Sequence, residues 1–242
     1  MRKIVFYGIS WTLVVLGLPL LGIAVICDKL GLLALRTNIT DSYLAHLARS
    51  MIWLTGSKVQ IEGLHHIPPS EPVLFVSNHQ GHFDSAVFLG YIRKPKAFVA
   101  SSAASKFPIF RIWFAYASTI YLEKESARQN YAALQSAKDI IRGGRSVVIY
   151  PEGIISSGPQ PGDFKRGAFK LAFETGAPIV PVVIDGTWKV MGAKNDTIQP
   201  ATIVAKVLPP VTTRGLSRQE QQELPGQIYK SINAGLFRDQ FS

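Results

Sequence analysis

Ile4 to Cys27 is a run of 24 residues without a charged side chain. About 20 apolar residues suffice to cross a bilayer as a helix. A soluble helix of that length rarely stays apolar on every side, so a buried core helix is the weaker reading. Gly17, Pro19 and Gly22 fall inside the run, so a break is expected there. Two arrangements fit: a single span, or a re-entrant helical hairpin completed by Gly31 to Leu35. Beyond it the periodicity becomes helical. Leu44, Leu47, Met51 and Leu54 share one face, with Asp41 expected as the cap. Lys58 to Glu62 alternates as a strand does, and Ile67-Pro68-Pro69-Ser70 reads as a turn.

Short apolar runs then alternate with helical stretches. Strands are predicted at Val73–Val76, Ala97–Ala100, Thr119–Leu122, Val147–Tyr150, Ile179–Ile184 and Ala201–Val207. Helices are predicted at Asp84–Ile92, at Ser126–Ile141 with Ser126 as cap, and at Gly167–Thr175. A helical stretch broken at Pro108 and a polar helix from Ser217, interrupted at Pro225, complete the pattern. The alternation predicts an α/β fold, a mostly parallel sheet flanked by helices. An N-terminal membrane-embedded helix or helical hairpin precedes it. Residues 1–36 are expected to anchor the chain, and residues 37–242 to form one catalytic domain without internal repeats.

Charge narrows the partners. Lys and Arg number 26 against 16 Asp and Glu, a net charge of +10. That balance suits anionic partners such as phospholipid headgroups. The bases are scattered and no basic run interleaves with aromatics, which argues against nucleic acid. Cys27 is the single cysteine, so no internal disulfide is possible. A cleaved signal peptide would need a shorter apolar region and small residues at a cleavage site. Bases flank both ends of the apolar run, so charge does not orient it.

The candidate chemistry begins at Asn78-His79-Gln80-Gly81-His82-Phe83-Asp84, directly after an apolar strand. A histidine oriented by a carboxylate can take a proton from a hydroxyl near neutral pH. Alone, His79 could equally be a core histidine satisfied by a backbone carbonyl. Downstream, Tyr150-Pro151-Glu152-Gly153-Ile154-Ile155-Ser156 follows a second apolar strand. Phe164-Lys165-Arg166-Gly167-Ala168-Phe169 and the run around Val180-Pro181 come next.

In this order the blocks, over roughly residues 59–207, resemble the glycerolipid acyltransferase family, whose type members are 1-acylglycerol-3-phosphate acyltransferases. The family's Asn-His-x4-Asp block corresponds to Asn78, His79 and Asp84. Its Phe-Pro-Glu-Gly-Thr-Arg-Ser block corresponds to 150–156, and its Phe-Ile-Asp-Arg block to Tyr121-Leu122-Glu123-Lys124. The resemblance implies a membrane-bound enzyme that moves a fatty acyl chain from acyl-CoA or acyl carrier protein to a lysophospholipid. His79 is then the general base and Asp84 orients it. Glu152, Gly153 and Lys124 line the acceptor side, and neither metal nor cofactor is needed. Backbone amides near Gly81 or Gly153 are candidate oxyanion donors. Because both donors are cytosolic, the site is expected to face the cytoplasm.

Two departures stand out. Gly81 replaces the family's usual serine, and Ile154-Ile155 replaces Thr-Arg, whose arginine helps hold the acceptor's phosphate. Lys106, Lys124, Lys165 or Arg166 are candidates for that charge. His82 is expected to line the pocket or serve structure. Other readings are the same chemistry on another lysolipid or an amino-acid lipid, a lipid hydrolase, or a non-enzymatic lipid-binding module. Ser77 and Ser85 lack a Gly-x-Ser-x-Gly elbow, which argues against the hydrolase.

Overall fold

The computed structural model of the chain describes residues 2–101, 119–122, 127–156, 158–192 and 197–237. Seven strands form one sheet: β1 (Lys58–Glu62), β2 (Leu74–Ser77), β3 (Lys96–Ser101), β4 (Ile120–Leu122), β5 (Ser146–Ile149), β6 (Ile179–Asp185) and β7 (Thr202–Val207). Their order is β1-β7-β6-β2-β5-β3-β4. Every pairing is parallel except β6 with β7. Strands β2, β5 and β6 are apolar almost throughout because helices cover both faces of the sheet centre. At the edge, β1 alternates exposed and half-buried residues, as a one-sided strand does.

The pleat of β2 divides the interior in two. Val73 and Phe75 face one core with Val87, Phe88, Val180 and Ile184. Leu74 and Val76 face the other, with Ile179, Val183, Phe169 and Ile228. The first core lies under α4 (Asp84–Tyr91) and α3 (Leu33–Leu54). The second lies under α5 (Ala127–Arg142), α6 (Lys170–Thr175) and α8 (Arg218–Phe237). A short α7 (Thr187–Met191) follows β6.

The apolar N-terminus bends where the glycine and proline stand. Helix α1 (Arg2–Leu16) stops at Gly17, and α2 (Leu18–Lys29) resumes with Pro19 in its first turn. The Tyr43 ring occupies the place of a Gly17 side chain, 2.2 Å from where a Cβ would stand. Its hydroxyl donates to the Leu13 carbonyl at 2.7 Å, binding α3 to α1. Lys3–Lys29 is long and apolar enough to cross a membrane, with mean hydropathy 2.3 and only 28% of it buried. Ile4, Leu16, Ile26 and Leu30 are among the apolar side chains left uncovered.

Three expectations change. Asp41 is not a cap: α3 begins at Leu33, and Asp41 lies within the helix, ion-paired to Arg145 at 3.1 Å. Helix α3 lies beside α2, and Arg36 in its first turns pairs with Asp28 at 2.9 Å, upstream of the local capping signal. Residues 166–169 form a 3-10 turn, so the helix expected from Gly167 starts at Lys170. Helix α8 is not interrupted at Pro225, nor polar all round. Leu224, Ile228, Ile232 and Leu236 form a buried stripe, and burying it outweighs one missing backbone hydrogen bond. Its start carries a capping box, with the Ser217 amide donating to Glu220 and the Glu220 amide to Ser217 Oγ. The Ser126 cap and the break at Pro108 lie outside the described residues.

Ile232 is fully buried, whereas Gln227 is exposed on the same helix. Ile232→Ala should lower the unfolding free energy by about 2–5 kcal/mol. Gln227→Ala should change it by less than about 0.5 kcal/mol. Urea denaturation in detergent reads both, and equal effects would contradict the packing of α8.

Candidate active site

Parallel strands deliver their following loops to one edge of the sheet, and β2, β5 and β6 are neighbours. The His79 block follows β2, the Glu152 block follows β5, and Thr187 follows β6. Asn78 locks the first loop to β6. Its side-chain amide donates to the Ile184 carbonyl at 2.7 Å and accepts from the Ile184 amide at 2.9 Å. Gln80 extends the clasp, accepting from the Gly186 amide at 3.2 Å and donating to the Pro159 carbonyl at 2.7 Å.

Asp84 opens α4 and is fully buried. Its Oδ2 lies 2.7 Å from His79 Nδ1 and accepts from the Gly81 amide at 3.0 Å. Its Oδ1 accepts from the Thr187 hydroxyl. Three donors thus compensate a carboxylate removed from water. With Nδ1 on the carboxylate, Nε2 is the ring nitrogen left for chemistry, and the His79 side chain is 20% exposed. Gly81 passes too close to α7 for any side chain, since a Cβ there would lie 2.7 Å from the Thr187 carbonyl oxygen. A serine at this position would therefore push the loop from α7.

The second loop grips the backbone of His79 on both sides. The His79 amide donates to Glu152 Oε1 at 2.8 Å, and the Ser156 amide donates to the His79 carbonyl at 2.7 Å. Glu152 Oε2 accepts from Ser156 Oγ and from the Gly162 amide at 2.7 Å. Burial raises the Glu152 pKa, against the pull of these donors and of His79. Glu152 is thus a brace between loops, 4% exposed. Tyr150 stacks on the His79 ring. Gly153 is exposed beside it, and Lys165 Nζ lies 2.9 Å from where its Cβ would stand. Ile154 is exposed and Ile155 half-buried.

Of the amides near Gly81 and Gly153, the glycines' own are engaged: that of Gly81 on Asp84, and that of Gly153 on the Tyr150 carbonyl at 3.0 Å. His82 is exposed. Lys124 and Lys106 lie outside the described residues. Thr187 escaped sequence reasoning because it stands 103 positions from Asp84, with no local pattern linking them. Gly162 was missed for the same reason. Tyr150 carried one usable signal, an aromatic at the end of an apolar strand within the third block.

A family model described as Acyltransferase matches residues 58–185, more than half of the chain. This chain belongs to the acyltransferase family. The matched stretch runs from β1 to the end of β6 and holds every residue of the site except Thr187. Among curated relatives, the chloroplastic 1-acyl-sn-glycerol-3-phosphate acyltransferase of Arabidopsis thaliana is 32% identical over 142 residues, 58% of this chain and 40% of that protein. The 1-acyl-sn-glycerol-3-phosphate acyltransferase of Borreliella burgdorferi is 31% identical over 56% of this chain and 54% of its own. The alpha form from Ovis aries is 29% identical over 95% of this chain and 77% of its own. The chain thus spans about half or less of the length of the first two. The crystal structure of the 1-acyl-sn-glycerophosphate acyltransferase PlsC from Thermotoga maritima shares the acyltransferase's fold, with TM-score 0.83, 24% identity, and coverage of 98% of this chain and 96% of that one.

Glu152→Gln sets an amide against backbone donors and should destabilise the protein by about 1–3 kcal/mol. The pH dependence has a definite sign. A carboxyl whose pKa is raised by folding contributes most below its unfolded value and loses that contribution as pH rises. The stability gap between wild type and Glu152→Gln should therefore shrink as pH rises from about 4 to 8. Urea unfolding across that range checks it, and a gap that widens would overturn the assignment.

Proposed function

We propose that the chain transfers a fatty acyl group from acyl-CoA or acyl carrier protein to the free hydroxyl of 1-acyl-sn-glycerol 3-phosphate, giving phosphatidic acid. The observation that carries this reading is the 2.7 Å contact between His79 Nδ1 and the buried Asp84 carboxylate. That contact turns Nε2 into an oriented base. His79 takes the proton of the acceptor hydroxyl as its oxygen attacks the thioester carbonyl. The C–O bond forms, the C–S bond breaks, and the proton passes to the departing thiolate. The substrate hydroxyl occupies the role a serine plays in hydrolases, so no acyl-enzyme is needed. The relatives' names support the acceptor.

The acceptor's phosphate requires a cation. Ile154 and Ile155 supply none, but Lys165 reaches over Gly153, the residue after the Glu152 that holds the His79 backbone. We assign the phosphate to Lys165, with Gly153 leaving room for the ammonium and Glu152 bracing the loop. Residues 1–36 attach the enzyme to the membrane, residues 37–242 carry catalysis, and the site faces the cytoplasm, where its donors are. The exposed Ile154 favours a second reading, a less polar lysolipid acceptor.

In mixed micelles with oleoyl-CoA and 1-acylglycerol 3-phosphate, free CoA and phosphatidic acid should appear in step. His79→Ala and Asp84→Asn should each lower kcat by about 10³–10⁴-fold. Retained transfer in His79→Ala would sink the mechanism. CoA release without phosphatidic acid would indicate a thioesterase or another acceptor. Lys165→Ala should cut kcat/KM for the phosphate-bearing acceptor about 10–100-fold. An unchanged value would transfer the phosphate to another cation.

A further inference from the structure

The imidazole of His79 lies almost flat on the phenol ring of Tyr150, with centroids 4.2 Å apart and planes inclined by 16°. Tyr150 is itself fixed from two other directions. The Phe88 ring meets it edge-on at 6.3 Å and 79°. Its hydroxyl lies 3.3 Å from Ser85 Oγ on α4. The phenol stays neutral: burial, and then the Asp84 charge, hold its pKa well above the usual tyrosine value.

We propose that Tyr150 is a positioning residue whose ring face holds the His79 imidazole in plane and stabilises the imidazolium formed during acyl transfer. The face of an electron-rich ring holds a neutral imidazole by stacking and attracts an imidazolium more strongly. The interaction therefore strengthens as the proton arrives, which is the condition for lowering a barrier. Asp84 acts in the imidazole plane through Nδ1, and Tyr150 acts on its face. Among the described residues, other ionisable groups of the two loops include Glu152, bound to the His79 backbone, Lys165 above Gly153, and His82. Neither carboxylate covers the ring face that Tyr150 occupies, because Glu152 spends its oxygens on hydroxyl and amide donors.

The inference rests on His79 being the base, and the test separates the two. Full-length protein carrying Phe, 4-fluoro-, 3,5-difluoro- or pentafluorophenylalanine at position 150 is assayed in the same micelles, beside Tyr150→Leu and His79→Ala. Fluorine withdraws charge from the ring face while nearly preserving its shape. Tyr150→Phe should keep kcat within about twofold, and kcat should fall stepwise with fluorination. The total loss should be about 5–30-fold, with the acceptor KM unchanged. Tyr150→Leu should lose at least as much. A fluorinated series that stays at the Phe rate overturns the inference, as does a Tyr150→Phe protein as slow as Tyr150→Leu. If His79→Ala remains active, the base assignment fails instead. Should Tyr150→Leu not fold, the fluorinated series alone decides.

Discussion

The site depends on one buried carboxylate. Asp84 has no exposure to water, so its charge is tolerable only while donors surround it. Those donors come from three places: the ring of His79, the amide of Gly81, and the hydroxyl of Thr187 after β6. Satisfying the charge therefore fixes the loop after β2, the start of α4 and the start of α7 relative to one another. Removing a donor would leave charge uncompensated and would loosen His79 at the same time. The contacts that satisfy the charge also orient the His79 ring.

Glu152 repeats this logic on the other side of His79. Its two oxygens gather the His79 amide, the Ser156 hydroxyl and the Gly162 amide. The two carboxylates thus hold the histidine from the ring and from the main chain. Tyr150 adds a third restraint across the ring face. Such restraint is the preorganisation that the role proposed for His79 requires.

The N-terminal helices are joined to this core by polar contacts as well as by packing. Arg145, before β5, reaches Asp41 on α3 and the Lys96 carbonyl. Burial lowers the Lys96 pKa to about 8, and its ammonium donates to the Ile92 carbonyl at 2.7 Å. On the other side of α3, Tyr43 meets the bend at Gly17. The uncovered apolar side chains of α1 and α2 are therefore held in a fixed relation to the sheet.

Much of this was legible from one-dimensional pattern. The buried strands announce themselves as apolar runs, because strands covered on both faces need no polar positions. His79 and Asp84 share one short block of chain, and the pair became legible only with the blocks downstream of it. The bend at Gly17 and Pro19 follows from backbone chemistry alone. Tertiary structure decided the rest. The hydroxyl on Asp84, the brace role of Glu152 and the ring stacked on His79 join residues far apart in the chain, and no local rule encodes them. The same holds where local signals misled. Asp41 resembles a cap and Pro225 a helix end, yet α3 already starts at Leu33 with Arg36 paired to Asp28, and burial of the Leu224–Leu236 stripe against β6 outweighed the proline. Sequence by itself determined which residues are apolar and which can exchange a proton. Only the packed sheet, which brings the ends of β2, β5 and β6 together, determined which of them meet.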